Sequence, residues 1–264
     1  MVVTVLAAAL SLAVGLSIPR LALLTIAVFA GQLSVGISND AIDAGRDRAV
    51  GRGDKPVARG EVSARTAWIA ALGCLVLALL LSVPLGLGLL TAHAVALASA
   101  WSYNLGLKAG RLSIAPFILS FCLFPSFATL SAEDPQPAAP WAWVAGGALG
   151  AAIHLTNVLP DLDDDARTGI HGLPHRLGGR TSAALAAGAA LAGAAAVAAG
   201  PQHWQLSQIP WVSWLLFGLV SAVVLAVLIL AFTGRSSRAL FRLVMLAALL
   251  LALQLVASGD SLVA

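Results

Sequence analysis

The chain has 264 residues, 59% hydrophobic and 10% charged, with a formal net charge of +3. A mean hydropathy of +0.93 excludes a water-soluble globular domain and predicts an all-α polytopic membrane protein. The basic residues are dispersed over loops, which excludes a nucleic-acid face. No polar linker divides the chain, so a single domain over 1–264 is expected.

In chain order, the apolar runs predict nine transmembrane helices. They lie over about 2–18, 20–46, 64–83, 86–107, 112–131, 140–164, 181–199, 211–233 and 237–258. The first run is short. It lacks a basic leader and a small-residue cleavage site before Arg20, so it reads as a retained span rather than a signal peptide. The second run ends in Asn39-Asp40-x2-Asp43-x3-Asp47, and the sixth in Asn157-x3-Asp161-x-Asp163-Asp164-Asp165. Pro84, Pro137, Pro140 and Pro201 punctuate loops. Cys74 and Cys122 fall inside spans, where packing explains them. The seventh run is nearly all Ala and Gly, a composition suited to close helix packing.

Charge placement orients this layout. Of the 15 basic residues only Arg20 lies on the face opposite the loops after spans two, four, six and eight, a face that also carries Glu133, Asp134 and Asp260. The positive-inside rule makes the basic face cytoplasmic, with the N-terminus inside. Both acidic runs then end parallel helices at that face.

Seven of the 12 acidic residues lie in these two runs. They share one frame, Asn39/Asp43/Asp47/Gly51 and Asn157/Asp161/Asp165/Gly169. Steps of four put the Asn and both Asp on one helix face, roughly 6 Å apart along the axis. Like charges so placed repel and are costly beside lipid, so a cation must hold them. Magnesium takes hard oxygen ligands and is commonly shared between carboxylates and substrate phosphates, which suits a diphosphate bridged through metal. Asn39, Asp43, Asp161 and Asp165 are the foremost ligand candidates, with Asn157 one turn above. Asp40, Asp47 and Asp164 are candidate outer ligands. The loop Arg52-Gly-Asp-Lys55-Pro56-Val-Ala-Arg59-Gly60 offers Arg52, Lys55 and Arg59 to a diphosphate, and Lys108 reaches the same face from span four. Tyr103 is either a site residue or an interfacial anchor, and His154 either lines a cavity or bonds a neighbouring helix.

Other readings fit less well. Asp161, Asp163 and Asp165 mimic the start of a calcium loop, but Ala166 and Gly172 stand where Gly and Glu are required. His171 and His175 are spaced as a helical metal pair, but Pro174 lies between them. A solvated acidic helix end would not repeat one frame on two distant helices. A cation transporter would hold its carboxylates near the bilayer midplane.

At these residues the chain resembles the UbiA superfamily of intramembrane prenyltransferases. Asn39-Asp40-x2-Asp43-x3-Asp47 and Asp161-x3-Asp165 match the family's paired motifs. Lys55-Pro56-Val-Ala-Arg59-Gly60 is similar to its basic loop, and Leu173-Pro-His-Arg-Leu-Gly178 to the segment after the second motif. Tyr103-x4-Lys108 departs from the family's Tyr-x3-Lys by one residue. The resemblance implies a helical bundle around a central cavity, with a prenyl diphosphate held through Mg²⁺ at a cytoplasmic mouth. The tail would lie in an apolar tunnel open to membrane lipid. It implies catalytic or substrate-binding roles for Asp43, Asp161, Asp165, Lys55 and Lys108, and transfer to a small lipophilic or aromatic acceptor. The resemblance implies a setting in the bacterial inner membrane and a pathway to quinone, haem, chlorophyll or cell-wall lipid, with quinone biosynthesis the working expectation. An intramembrane terpene cyclase using the same motifs is the alternative. The CDP-alcohol phosphotransferases, which also carry Asp clusters in spans, need an Asp-Gly-x2-Ala-Arg pattern that is absent here.

Overall fold

The computed structural model describes residues 1–49, 55–159, 171–233 and 237–263. Among them there are helices and no strand. The helices are α1 (Val2–Ala13), α2 (Ile18–Ala49), α3 (Pro56–Arg59), α4 (Ala64–Ser82), α5 (Leu87–Leu105) and α6 (Ala115–Leu123). They continue as α7 (Pro125–Leu130), α8 (Pro140–Asn157), α9 (Leu173–Leu177), α10 (Gly179–Ala199), α11 (Trp211–Thr233) and α12 (Ser237–Ala257).

Each predicted apolar run contains helix among the described residues, but the runs are not equivalent. Among the described residues five helices are long and apolar enough to cross a membrane: α2, α4 with its following turn, α10, α11 and most of α12. The first run forms only the 12 residues of α1. The fifth is not one helix: Pro125 has no N–H to continue the ladder, and the chain breaks at Phe124 into α6 and α7.

Outer faces carry unpartnered apolar side chains, such as Ile69, Leu72, Val76 and Leu80 on α4 and Leu215, Leu219, Leu225, Ile229 and Phe232 on α11. Apolar rows of this extent need lipid rather than water against them, and the protein is an integral membrane protein. The Ala/Gly-rich α10 is instead the most deeply buried of the five. Its Gly193 lies so close to Ala148 and Leu251 that an added Cβ would force the Leu251 side chain to shift. The same device joins α8 to α6, where a Cβ on Gly146 or Gly150 would overlap the carbonyl oxygens of Phe121 and Phe117.

The helices pack as a closed bundle. α2 touches α1, α4 and α5; α5 touches α6; α6 touches α8; α8 touches α10 and α12; and α12 returns to α1. At one end Arg20 donates to the carbonyls of Ser131 (2.9 Å) and Ala132 (3.4 Å), just beyond the C-terminus of α7. The opposite end gathers the C-termini of α2, α5 and α8 with α3 and α9, and the site forms there.

Candidate active site

Five helices, with α6 and α7 sharing one stripe, line a common cavity of about 460 Å³. On α2 the lining residues are Val28, Gln32, Val35, Gly36, Asn39, Asp43, Arg46 and Asp47. Their spacing of three and four is that of one helix face, and along it the character changes from apolar to charged. On α5 the stripe runs from His93 through Leu97 and Ala100 to Tyr103 and Asn104, with Lys108 just beyond. The α6 and α7 stripe is Pro116, Phe117, Ser120, Phe121, Phe124 and Phe127; α8 contributes His154 and Asn157. The cavity is therefore charged at one mouth and aromatic at depth.

Helix α5 is fixed against α2 by polar bonds between spans. Trp101 Nε1 donates to Ser34 Oγ (3.1 Å), and Asn104 Nδ2 to the Val35 carbonyl (2.9 Å) and Ser38 Oγ (3.0 Å). The helix ends at Gly106, whose φ of +152° suits glycine, and the chain turns so that Lys108 points back at α2.

The mouth is an interleaved network of acids and cations. The Asp43 carboxylate, 5% exposed, accepts from Arg46 Nη2 (2.9 Å) and from Lys108 Nζ, which also stands 3.5 Å from Asn39 Oδ1. Lys55 Nζ bridges Asp47 (2.9 Å) and Asp40 (3.1 Å). Burial pulls the Lys55 ammonium down, but Asp47 and Asp40 together outweigh it and hold it above the usual lysine range. Burial also lowers Lys108, and there the Asp43 carboxylate does not fully compensate, because Arg46 and Lys55 repel the same charge.

Most of the residues expected from sequence meet here. Asn39, Asp43, Asp47, Lys55, Tyr103, Lys108 and Asn157 all line the cavity. Asp40 does not; it touches the site through Lys55. Arg59 is not a lining residue either. Its exposed guanidinium pairs with Glu61 at 2.7 Å, two residues on. Arg52, Asp161, Asp164 and Asp165 lie outside the described residues; Asn157 lines the same cavity as Asn39 and Asp43. His154 is buried, lines the cavity, and bonds Ser113 Oγ through Nε2 (3.1 Å) while its ring meets Tyr103 and Phe117.

Sequence reasoning missed Arg46, which entered only in the count of basic residues on the cytoplasmic face, and missed Asn104 and the Phe stripe. Arg46 stands three residues after Asp43 on a helix, a spacing that announces the pair.

Among the described residues no three His, Cys, Asp or Glu side chains group as a metal site. The donors at the mouth are nevertheless the hard oxygens of Asn39, Asp43, Asp47 and Asn157, and the carboxylates already hold cationic partners, so the set fits a magnesium ion shared with a substrate.

The bundle and its graded cavity define a membrane-embedded protein built to hold an anionic head and an apolar tail. The chain belongs to the UbiA prenyltransferase family, whose sequence profile matches residues 1–258. The fold is that of solved relatives. A UbiA homologue of Aeropyrum pernix K1 in its apo form superposes with a TM-score of 0.74 at 19% identity, covering 97% of each chain. A digeranylgeranylglyceryl phosphate synthase structure gives 0.73 at 14% identity over 98% of this chain and 92% of that one. A UbiA homologue of Archaeoglobus fulgidus bound to GPP and Mg²⁺ gives 0.71 at 15% identity over 98% and 96%. No curated protein matches the sequence.

Proposed function

We propose that this chain, as one domain over 1–264, transfers a prenyl group from a prenyl diphosphate to a small aromatic, lipophilic acceptor within the bacterial inner membrane. The mouth faces the cytoplasm, as the basic loop bias argues. The observation that carries this reading is the single stripe on α2, which grades from Val28 to Asp47 and joins an apolar tunnel to a charged mouth. The GPP and Mg²⁺ held by the Archaeoglobus fulgidus homologue support the same choice of ligands.

The diphosphate lies at the mouth, where Lys55, Lys108 and Arg46 face it, with Arg52 and Tyr103 as further partners. Asn39, Asp43, Asp47 and Asn157, joined by Asp161, Asp164 and Asp165, would hold Mg²⁺, with Asp40 acting from outside through Lys55. Bound there, Mg²⁺ would supply positive charge to the diphosphate. The C–O bond breaks with its electron pair going to the diphosphate, and the lysine ammoniums stabilise the charge that develops. The allylic cation left behind is held by the faces of Tyr103, Phe117 and Phe121, which also exclude water. An electron pair of the acceptor ring closes the new C–C bond, and the ring then loses a proton to water at the mouth.

The test is purified protein incubated with Mg²⁺, a panel of prenyl diphosphates and a membrane-lipid extract, with products read by mass spectrometry. Prenylated acceptor and free diphosphate are expected, lost on EDTA treatment and restored by added Mg²⁺. Turnover that ignores EDTA would reject the metal assignment. A cyclised product with the carbon count of the donor would assign a terpene cyclase instead.

A further inference from the structure

Deep in the cavity one polar ring stands among apolar side chains. His93 is 3% exposed, lines the tunnel beside Leu97, Phe124 and Phe127, and lies 5.2 Å from the Phe127 ring between centroids. Its tautomer follows from its neighbour. Ser82 Oγ uses its only proton to bond the Ala78 carbonyl (2.8 Å), so at 2.9 Å from His93 Nδ1 it can only accept. Nδ1 therefore carries the proton, and Nε2 presents a bare lone pair that no hydrogen bond among the described residues satisfies.

The depth of this lone pair is set by α2. A Cβ on Gly31 would stand 3.0 Å from Nε2, so Gly31 marks the level of the ring. Gly31 lies eight residues, about 12 Å, below Asn39 at the inner edge of the charged mouth. An extended isoprene unit spans about 5 Å, from four C–C bonds of about 1.5 Å. A two-unit tail starting at Asn39 stops short of His93, a three-unit tail reaches it, and a four-unit tail runs past it toward Val28. Covering the lone pair with hydrocarbon strips it of any hydrogen-bond donor.

We infer that His93 is a specificity-determining residue that selects against prenyl tails longer than two isoprene units. The inference rests on the prenyl-transfer reading above. The experiment measures kcat/KM for geranyl, farnesyl and geranylgeranyl diphosphate with Mg²⁺ and one acceptor, in the wild type and in His93→Leu, a change of similar volume. The ratio of the geranylgeranyl to the geranyl value is expected to rise about ten-fold in the variant, the effect of removing one acceptor that would be buried unpaired. Taken within one preparation, this ratio does not depend on the folded fraction. An unchanged ratio overturns the inference and leaves the transferase reading standing; absence of turnover at every length in the wild type overturns both. Nitrogen-15 spectra of the histidine-labelled wild type supply a second readout. A protonated Nδ1 and bare Nε2 at His93 are expected, and an Nε2–H tautomer overturns the inference.

Discussion

Asp43→Asn separates what the mouth does for stability from what it does for chemistry. Asp43 is the common partner of two cations, Lys108 and Arg46, whose side chains are 12% and 26% exposed. Asparagine keeps the volume and one acceptor oxygen but removes the charge, leaving both cations facing each other. Breaking a fully buried ion pair costs 3–5 kcal/mol. Here Arg46 retains Asp47 at 4.0 Å, and partial exposure screens the rest, so a loss of about 2 kcal/mol is expected. Removing the stranded ammonium as well, in Asp43→Asn with Lys108→Met, should recover about half of that loss, since one unpaired buried charge is gone. Catalysis should not follow. Both variants should lower kcat by roughly 100- to 1,000-fold, the usual cost of losing a group that stabilises developing charge. The assays are thermal unfolding in detergent and diphosphate release in parallel. A double variant no more stable than Asp43→Asn would refute the shared-partner account, and wild-type turnover in either would refute the placement of the diphosphate.

Two further outcomes concern the scaffold. Gly150→Leu should lower thermal stability or prevent folding, because even a Cβ at that position would overlap the Phe117 carbonyl oxygen on α6; Gly188→Leu, at a site with open space around it, is the comparison, and equal melting temperatures would discount the packing argument. One alanine inserted after Gly36 should rotate Asn39, Asp43 and Asp47 about 100° away from the Val28–Val35 stripe, so turnover should vanish while a helical circular dichroism spectrum persists; retained activity would mean that the mouth and tunnel need not share one face of α2.

How far the sequence could be read depended on the range of the interaction. The helix ends of α4, α11 and α12 fall within a residue or so of the apolar runs, because span boundaries follow from local composition. Asn39, Asp43 and Asp47 were brought to one face by spacing alone, and they share the cavity wall. The break at Phe124 was equally local, since Pro125 lies inside the run, but hydropathy averaged over the whole span conceals it. Arg59 shows the limit of such reading. Its place in a basic loop suggested the mouth, but loop composition alone does not reveal that its guanidinium also pairs with Glu61, two residues on. His93 was not readable at all. Its meaning depends on which side of α5 meets Ser82 and Gly31, and no periodicity within α5 encodes a partner on another helix.

The mouth and the tunnel solve one electrostatic problem from two sides. Carboxylates near a membrane need cations, and a diphosphate also needs cations, so a site built of carboxylates alone would repel its ligand. Interleaving resolves this. Among the described mouth residues Asp40, Asp43 and Asp47 are matched by Arg46, Lys55 and Lys108, each cation within 3.1 Å of at least one of them. The network is neutral as it stands, so it does not hold a bare charge against lipid. A divalent ion at the carboxylates would take over the role of the lysines and leave their ammoniums facing an anion. Metal and diphosphate would then favour each other through the residues they share. That mutual dependence requires acids and bases to alternate along one helix face and its nearest loops, and α2 meets it by presenting Asn39, Asp43, Arg46 and Asp47 in steps of four, three and one toward the cavity.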